Sequence, residues 1–200
     1  MSKTAYSLAD WQGYLTHNEI DMLKAMAENT PTDSQLQRDV VVVNIGAGAG
    51  TSTLSFIEAR PDIIVFSVDI DGGDQEVYTN EHLRMQETGH DKDGRVIRIW
   101  GDSKLAGKRW PMKVDIVFID GDHSEAGIRG DIEAWINHVQ LDGYIAFHDY
   151  GSPHWPDVAR VVDELFAHKE CVEYVAKADN IRVFKVIGEF KGWNIKVSPQ

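Results

Sequence analysis

Short apolar runs alternate along this chain with segments whose apolar residues recur every three or four positions. The runs cover residues 40–45, 63–68, 96–100, 114–119 and 144–147, and β-branched residues dominate several of them. Continuous apolar runs of this length are typical of strands buried on both faces of a parallel sheet. The segments between them predict helices, most clearly where Ile128, Ile132 and Trp135 form one stripe. The pattern therefore predicts alternating β/α units.

The two ends of the chain complete this layout. Runs at 172–176 and 181–186 flank Asp179-Asn180, a link so short that the two strands must pair antiparallel. Near the start, Thr16 and Glu19 have the spacing of a capping box, which predicts a helix beginning there. We expect a single domain over 1–200, with an N-terminal helical cap (1–38), a core (39–187) and a C-terminal tail (188–200).

A glycine-rich turn follows the first strand, with Gly46, Gly48 and Gly50 at alternate positions. Glycines at a strand-to-helix turn let a ligand approach main-chain N–H groups at the helix N-terminus. Asp69 ends the second strand, at the place where an acid hydrogen-bonds a ribose in Rossmann-type sites. The turn and the acid predict an adenosine-containing cofactor. Dinucleotide sites place their third small residue one position later than Gly50, where this chain has Thr51.

Composition narrows the classes of partner. A net charge of −12 over 200 residues disfavours nucleic acid, and the basic residues Lys104, Lys108, Arg109 and Lys113 are expected in a short loop. No apolar run is long enough to span a membrane. The first ten residues lack the apolar region of a signal peptide, and the chain has a single cysteine, Cys171. These features favour a cytoplasmic location.

The segments 118–123 (FIDGDH) and 146–150 (AFHDY), together with the layout, resemble class I S-adenosylmethionine-dependent methyltransferases. The resemblance is to the small-molecule O-methyltransferase group, which includes catechol-type, macrolide-sugar and cephalosporin-biosynthesis enzymes. It implies an α/β fold with a Rossmann-like, doubly wound sheet of seven strands. The sheet would be mostly parallel, with an antiparallel C-terminal strand and helices on both faces.

The resemblance also implies a binding site for S-adenosylmethionine. Gly46, Gly48 and Gly50 would line its methionine end, and Ser52 would contact the carboxylate there. Asp69 would accept hydrogen bonds from the ribose hydroxyls, and Ala47 and Ile70 would also contact the cofactor. Gly101, Asp102 and Ser103 would meet the adenine, with Asp102 accepting a hydrogen bond from the exocyclic amine, and Asp120 would complete the site. Asn44 departs from the acid usual in these relatives, although it can still accept a hydrogen bond.

Polar residues at the ends of the fourth and fifth strands carry the predicted chemistry. By resemblance, Asp120, His148 and Asp149 would hold Mg²⁺ or Mn²⁺, which would chelate two substrate oxygens and lower the pKa of a hydroxyl. The alternative is catalysis without a metal, in which His123 or His148 acts as general base beside Asp149. Both alternatives stay open at the level of sequence.

Two further segments are expected near the acceptor, which would be a small hydroxylated molecule such as a sugar, a polyol or a natural product. The loop 150–156 suits a substrate-facing lid, and Trp155 would either face the substrate or pack the loop down. The N-terminal residues Tyr6, Trp11 and Tyr14 could cover the cofactor, and Glu19 could reach the cofactor's amino group or the metal. The competing functions are an NAD-dependent oxidoreductase and a non-catalytic S-adenosylmethionine-binding protein. The sequence leaves the oligomeric state open, a homodimer included.

Overall fold

A seven-stranded sheet forms the centre of the computed structural model, which describes residues 13–31, 38–70, 75–166 and 169–190. The strands are β1 (Val40–Ile45), β2 (Ile63–Asp69), β3 (Val96–Trp100), β4 (Val114–Ile119), β5 (Val139–Phe147), β6 (Val172–Ala178) and β7 (Ile181–Val186). Their order is β3-β2-β1-β4-β5-β7-β6. The first five strands pair in parallel, and β7 pairs antiparallel with both β5 and β6. This confirms the predicted fold class.

Six α-helices in the described ranges pack around the sheet. They are α1 (His17–Glu28), α2 (Thr51–Ala59), α3 (Gln75–Glu87), α4 (Ser103–Lys108), α5 (Glu125–Trp135) and α6 (Pro156–Phe166). The capping box at the start of α1 is confirmed, because Glu19 N–H donates to the Thr16 hydroxyl and Thr16 N–H donates to the Glu19 carboxylate. No helix in the described part of the chain is long and apolar enough to cross a membrane.

Two elements differ from the sequence prediction. The expected basic loop contains α4, which begins with Asp102 as its N-cap, because the Asp102 carboxylate accepts the Lys104 N–H at 2.8 Å. β5 begins at Val139, several residues before the apolar run, although Asp142 within it has a φ of +66°. Neither feature leaves an apolar signature, since a capped six-residue helix is too short for one and the start of β5 is partly exposed.

The central strands β1 and β4 fix the position of the site. Apolar residues such as Val42, Val43, Ile116 and Val117 are fully buried there, which anchors both strands between the two helical layers. Strand order reverses between them, because β2 lies on one side of β1 and β4 on the other. In open α/β sheets, ligands bind beyond the carboxyl ends of the strands at this kind of switch point.

Candidate active site

A cavity of about 860 Å³ opens at the carboxyl ends of the parallel strands. Its lining brings together nearly all of the predicted site residues: Gly46, Ala47, Gly48, Ser52, Asp69, Ile70, Gly101, Asp102, Ser103, Asp120, His123, His148 and Asp149. Gly50 is the exception, because it is absent from that lining. Residues from five strand ends therefore share one space, as expected for a fold with parallel strands.

The glycine turn is shaped by close approach to the end of β4. Gly46 has a φ of +76°, and a Cβ atom there would lie 2.0 Å from the Asp120 carbonyl oxygen. Gly50, at the other side of the turn, packs against α3, because a Cβ atom there would lie 2.7 Å from Cγ of Glu81. Gly46 therefore lets the turn pack on the β4 loop, and Gly50 lets α2 pack on α3.

A buried network of hydrogen bonds connects the glycine turn to the neighbouring elements. The Asn44 amide donates to the hydroxyls of Ser52 and Thr53, each at 2.9 Å. Thr53 and Ser67 both donate to the Glu81 carboxylate, at 2.6 and 2.8 Å. Asn44 therefore ties the end of β1 to the start of α2. The Ser52 hydroxyl, predicted to meet the cofactor, is engaged in this network.

Asp69 connects the second strand to the glycine turn. Its Oδ2 accepts the Gly48 N–H at 2.9 Å, and its Oδ1 accepts the Ile70 N–H at 2.8 Å. Burial raises the pKa of this carboxyl, and the charge of Asp120 adds to the effect. The Asp69 side chain is thus held at the cavity wall by two main-chain donors.

Two histidines and two aspartates converge at the other end of the cavity. His123 Nε2 lies 2.9 Å from Asp149 Oδ2 and 3.5 Å from Asp120 Oδ1. His148 Nδ1 lies 3.1 Å from Asp120 Oδ1 and 3.2 Å from Asp149 Oδ2. Asp149 has a φ of +55°, a left-handed conformation uncommon outside glycine. The two imidazoles separate acids that would otherwise repel each other.

One trio within this cluster has the geometry of a metal site. Ligand atoms of Asp120, His123 and Asp149 all lie within 4.8 Å of one another. His123 Nε2 is buried and, although it lies 2.9 Å from Asp149 Oδ2, it makes no well-aligned hydrogen bond within the described residues. Carboxylate oxygens and an imidazole nitrogen this close together suit a divalent cation. This trio contains His123 where the resemblance implied His148.

Charges within this cluster shift the pKa values of three of its side chains. Contacts with Asp120 and Asp149 raise the pKa of His123 to about 9. Burial opposes protonation of His148, but Asp120, Asp149 and Glu19 raise its pKa to about 12. Burial likewise opposes ionisation of Asp149, yet the two imidazoles hold its pKa well below the usual range. Without a cation, the neighbouring carboxylates therefore favour the protonated form of both histidines.

A carboxylate on the first helix contacts His148. Glu19 Oε2 lies 3.5 Å from His148 Nε2, and both side chains are buried. The Glu19 carboxylate also accepts main-chain N–H groups of Thr16 and Asn180, at 2.8 and 2.9 Å. The Glu19 carboxylate thereby connects α1 with the β6–β7 hairpin and with His148.

The lid loop and the N-terminal segment both reach the cavity. The Trp155 ring stacks on His123 with 4.8 Å between centroids and 18° between planes, while nearly half of Trp155 stays exposed. Tyr14 also lines the cavity and is largely exposed. Tyr6 and Trp11 lie outside the described residues. Trp155 therefore both packs the loop down and presents an indole at the cavity mouth.

Comparison with known proteins identifies the family. The family described as "Methyltransferase domain" matches residues 43–150, which is more than half of the chain and runs from β1 to the tip of β5. The chain belongs to the methyltransferase-domain family. The match includes the glycine turn, Asp69, the β3–α4 segment and the cluster of histidines and aspartates.

The methyltransferase domain is also similar to individual proteins. It is 35% identical over 65 residues to protein R132 of Acanthamoeba polyphaga mimivirus, a match covering 32% of this chain and 29% of that protein. A Corynebacterium glutamicum protein superposes with a TM-score of 0.71 at 15% identity, covering 88% of this chain and 83% of that one. A Bacillus cereus O-methyltransferase solved with SAH superposes with a TM-score of 0.66 at 12% identity, covering 87% and 82%. At these identities the two solved structures show the shared fold.

One buried acid of this methyltransferase domain was not predicted as a site residue. Asp131 on α5 is 1% exposed and lines the cavity beside Ser103. A sequence signal exists, because Asp131 falls on the same helical face as Ile128, Ile132 and Trp135. An acid on an otherwise apolar face is unusual, since burial of a carboxylate needs a partner.

Proposed function

We propose that this chain transfers the methyl group of S-adenosylmethionine to a hydroxyl of a small molecule. One observation carries the proposal: a single cavity joins the glycine turn and Asp69 at one end to the His123 and Asp149 cluster at the other. The family membership favours this reading over an NAD-dependent oxidoreductase. The SAH (S-adenosylhomocysteine) bound to the B. cereus protein supports the choice of cofactor.

Some residues bind the cofactor, and others position the acceptor. Main-chain groups of the turn from Gly46 to Gly48 meet the methionine end of the cofactor, and Asp69 accepts hydrogen bonds from the ribose hydroxyls. Methyl transfer is an in-line displacement at a sulfonium, so holding the acceptor oxygen in line with the methyl group supplies much of the acceleration. Trp155 on its loop covers the acceptor and excludes water.

The donor set of Asp120, His123 and Asp149 fits a divalent cation. Two carboxylates and an imidazole suit Mn²⁺, Fe²⁺ or Zn²⁺ better than Mg²⁺. Such a cation would act as a Lewis acid that lowers the pKa of the acceptor hydroxyl. Glu19 and His148 orient the two aspartates from behind. Without a cation, His123 would act as general base, and its raised pKa makes that role unfavourable at neutral pH.

The acceptor is proposed to be a small hydroxylated compound, and nucleic acid is disfavoured by the net charge of −12. The test has two stages. Thermal shift and calorimetric titration compare SAH with NAD, each with and without Mn²⁺. Transfer of a radiolabelled methyl group is then measured with sugars, polyols, catechols and an RNA control, with and without chelator.

Each outcome of the test bears on a different part of the proposal. Binding of SAH but not NAD, followed by labelling of a hydroxylated compound, supports the function. Binding of NAD alone would overturn it. Labelling of RNA alone would move the acceptor to another class, and full turnover in chelator would favour His123 as base.

A further inference from the structure

Asp131 places a buried carboxylate at the end of the cavity that is lined by the β3–α4 segment. Its Oδ1 accepts the hydroxyl hydrogen of Ser103, the first residue of α4. Gly101 and Asp102 line the same part of the cavity. Because β3 neighbours β2 on the side away from β1, a nucleoside held by its ribose at Asp69 can extend its base toward the β3–α4 segment and Asp131.

The packing of α5 on α4 explains how the acid reaches this point. Gly107 on α4 meets Ala134 and Trp135 so closely that a Cβ would lie 2.9 Å from atoms of Ala134. The Trp135 indole N–H donates to the Ser103 carbonyl at 3.0 Å. Ser103 is therefore anchored to α5 through both its hydroxyl and its carbonyl oxygen.

Anchoring Ser103 uses only one oxygen of Asp131. The other oxygen, Oδ2, lies near Gly121 in the β4–α5 loop, where an added Cβ would be 3.6 Å away. Burial raises the pKa of Asp131 to about 6, so ionisation of this acid at neutral pH has a free-energy cost. A neutral amide would bind Ser103 without that cost. Asp131 lines the cavity, so a ligand bound there can donate a hydrogen bond to the second carboxylate oxygen.

Asp102 is less suited than Asp131 to accept a hydrogen bond from a bound ligand. Its carboxylate caps α4 by accepting the Lys104 N–H, and it lies 3.7 Å from the Lys104 ammonium. The Asp102 side chain is also 42% exposed, whereas Asp131 is sequestered from solvent. A hydrogen bond to a carboxylate is stronger where water is excluded.

We propose that Asp131 accepts a hydrogen bond from the exocyclic 6-amino group of the cofactor's adenine and selects adenine over 6-oxopurines. The inference rests on the proposed function, because it requires an adenosyl ligand in the cavity. A carboxylate facing a 6-oxo group would place two acceptors against each other. An amide in its place could donate to the 6-oxo group instead.

The test is a comparison of two ligands across matched variants. SAH and S-inosylhomocysteine are titrated at pH 8 into the wild type, Asp131→Asn and Asp102→Asn, with circular dichroism to check folding. We expect the wild-type preference for SAH to fall by about 10- to 100-fold in Asp131→Asn, as for loss of a hydrogen bond to a charged group. The preference of Asp102→Asn should stay close to that of the wild type.

Other outcomes separate this inference from the proposed function. An unchanged preference in Asp131→Asn, or a loss confined to Asp102→Asn, would overturn the role of Asp131 while leaving the cofactor intact. Failure of the wild type to bind either ligand would overturn the proposed function itself. Asp131→Ser keeps a small polar group beside Ser103 and supplies the same comparison if the asparagine variant does not fold.

Discussion

The Glu19 carboxylate on the first helix lies 3.5 Å from Nε2 of His148 at the end of the fifth strand. The contact joins the N-terminal part of the chain to the cluster at the centre of the site. Because Glu19 also accepts N–H groups of Thr16 and Asn180, three separate segments meet at one buried carboxylate. The N-terminal helix is therefore part of the site's framework.

Removal of this carboxylate should destabilise the fold. In Glu19→Ala the N–H groups of Thr16 and Asn180 lose their buried acceptor, at roughly 1–3 kcal/mol each. We expect the free energy of unfolding, measured with urea, to fall accordingly. Glu58→Ala is the matched control, because the Glu58 pair with Lys24 is exposed and contributes about 1 kcal/mol or less. Equal effects of the two variants would contradict the buried role of Glu19.

A methyl group at Gly46 should disrupt the contact between the glycine turn and the β4 loop. Gly46→Ala combines an unfavourable φ with overlap on the Asp120 carbonyl, so we expect a loss of about 2–4 kcal/mol in the free energy of unfolding. Gly94→Ala is the control, since Gly94 has a φ of +73° but nothing within 4 Å of an added Cβ. The close approach would be refuted by similar losses in both variants.

Asp69 should dominate recognition of the ribose. Asp69→Asn keeps the shape of the side chain but removes its charge, which should weaken SAH binding by about 10- to 100-fold in calorimetric titrations. Asp21→Asn, on the exposed face of α1, should bind SAH like the wild type. Unchanged affinity in Asp69→Asn would place the nucleoside elsewhere.

Binding of Mn²⁺ should distinguish the two histidines. We expect His123→Gln and Asp149→Asn to weaken Mn²⁺ binding by about tenfold or more, because both remove a donor of the proposed trio. His148→Gln should have a smaller effect, and His82→Gln, on the surface of α3, should have none. Titration of each variant with Mn²⁺ gives the answer. A loss of Mn²⁺ binding restricted to His148→Gln would instead support Asp120, His148 and Asp149 as the metal ligands.

Asp131 should make the stability of the protein depend on pH. Its pKa is raised to about 6 in the folded state from 3.8, so the folded state holds this proton more tightly than the unfolded state does. The associated stability is fully present below about pH 4 and is lost as the pH rises through 6, on the order of 3 kcal/mol. Asp102, Lys104 and Asp122 are the neighbouring charges.

Urea unfolding of the wild type and Asp131→Asn between pH 4 and pH 7 measures this effect. The variant should lack the loss and become relatively more stable toward neutral pH. Parallel profiles for the two proteins would show that Asp131 titrates normally. Asp21→Asn controls for removal of an exposed acid.

The sequence predicted those parts of the site that depend on local pattern. Gly46, Gly48 and Asp69 follow apolar runs directly, so the strand ends alone bring them to one edge of the sheet. Which histidine forms the trio with Asp120 and Asp149 was not predictable, because it depends on the left-handed backbone of Asp149 and on the course of the loop carrying His123. Gly50 could not be told from the other glycines, since its contact with Glu81 is set by the packing of α3.

The adjacency of β1 and β4 also bears on the kinetics of unfolding. β2 and β3 lie between these two strands in the sequence and pair on the far side of β1, so the cavity spans the parallel pairing with the largest separation in sequence. A ligand seated across this joint binds the assembled state alone and must leave before the two halves of the sheet separate. Occupancy should therefore lengthen the lifetime of the folded protein and slow amide exchange in both central strands.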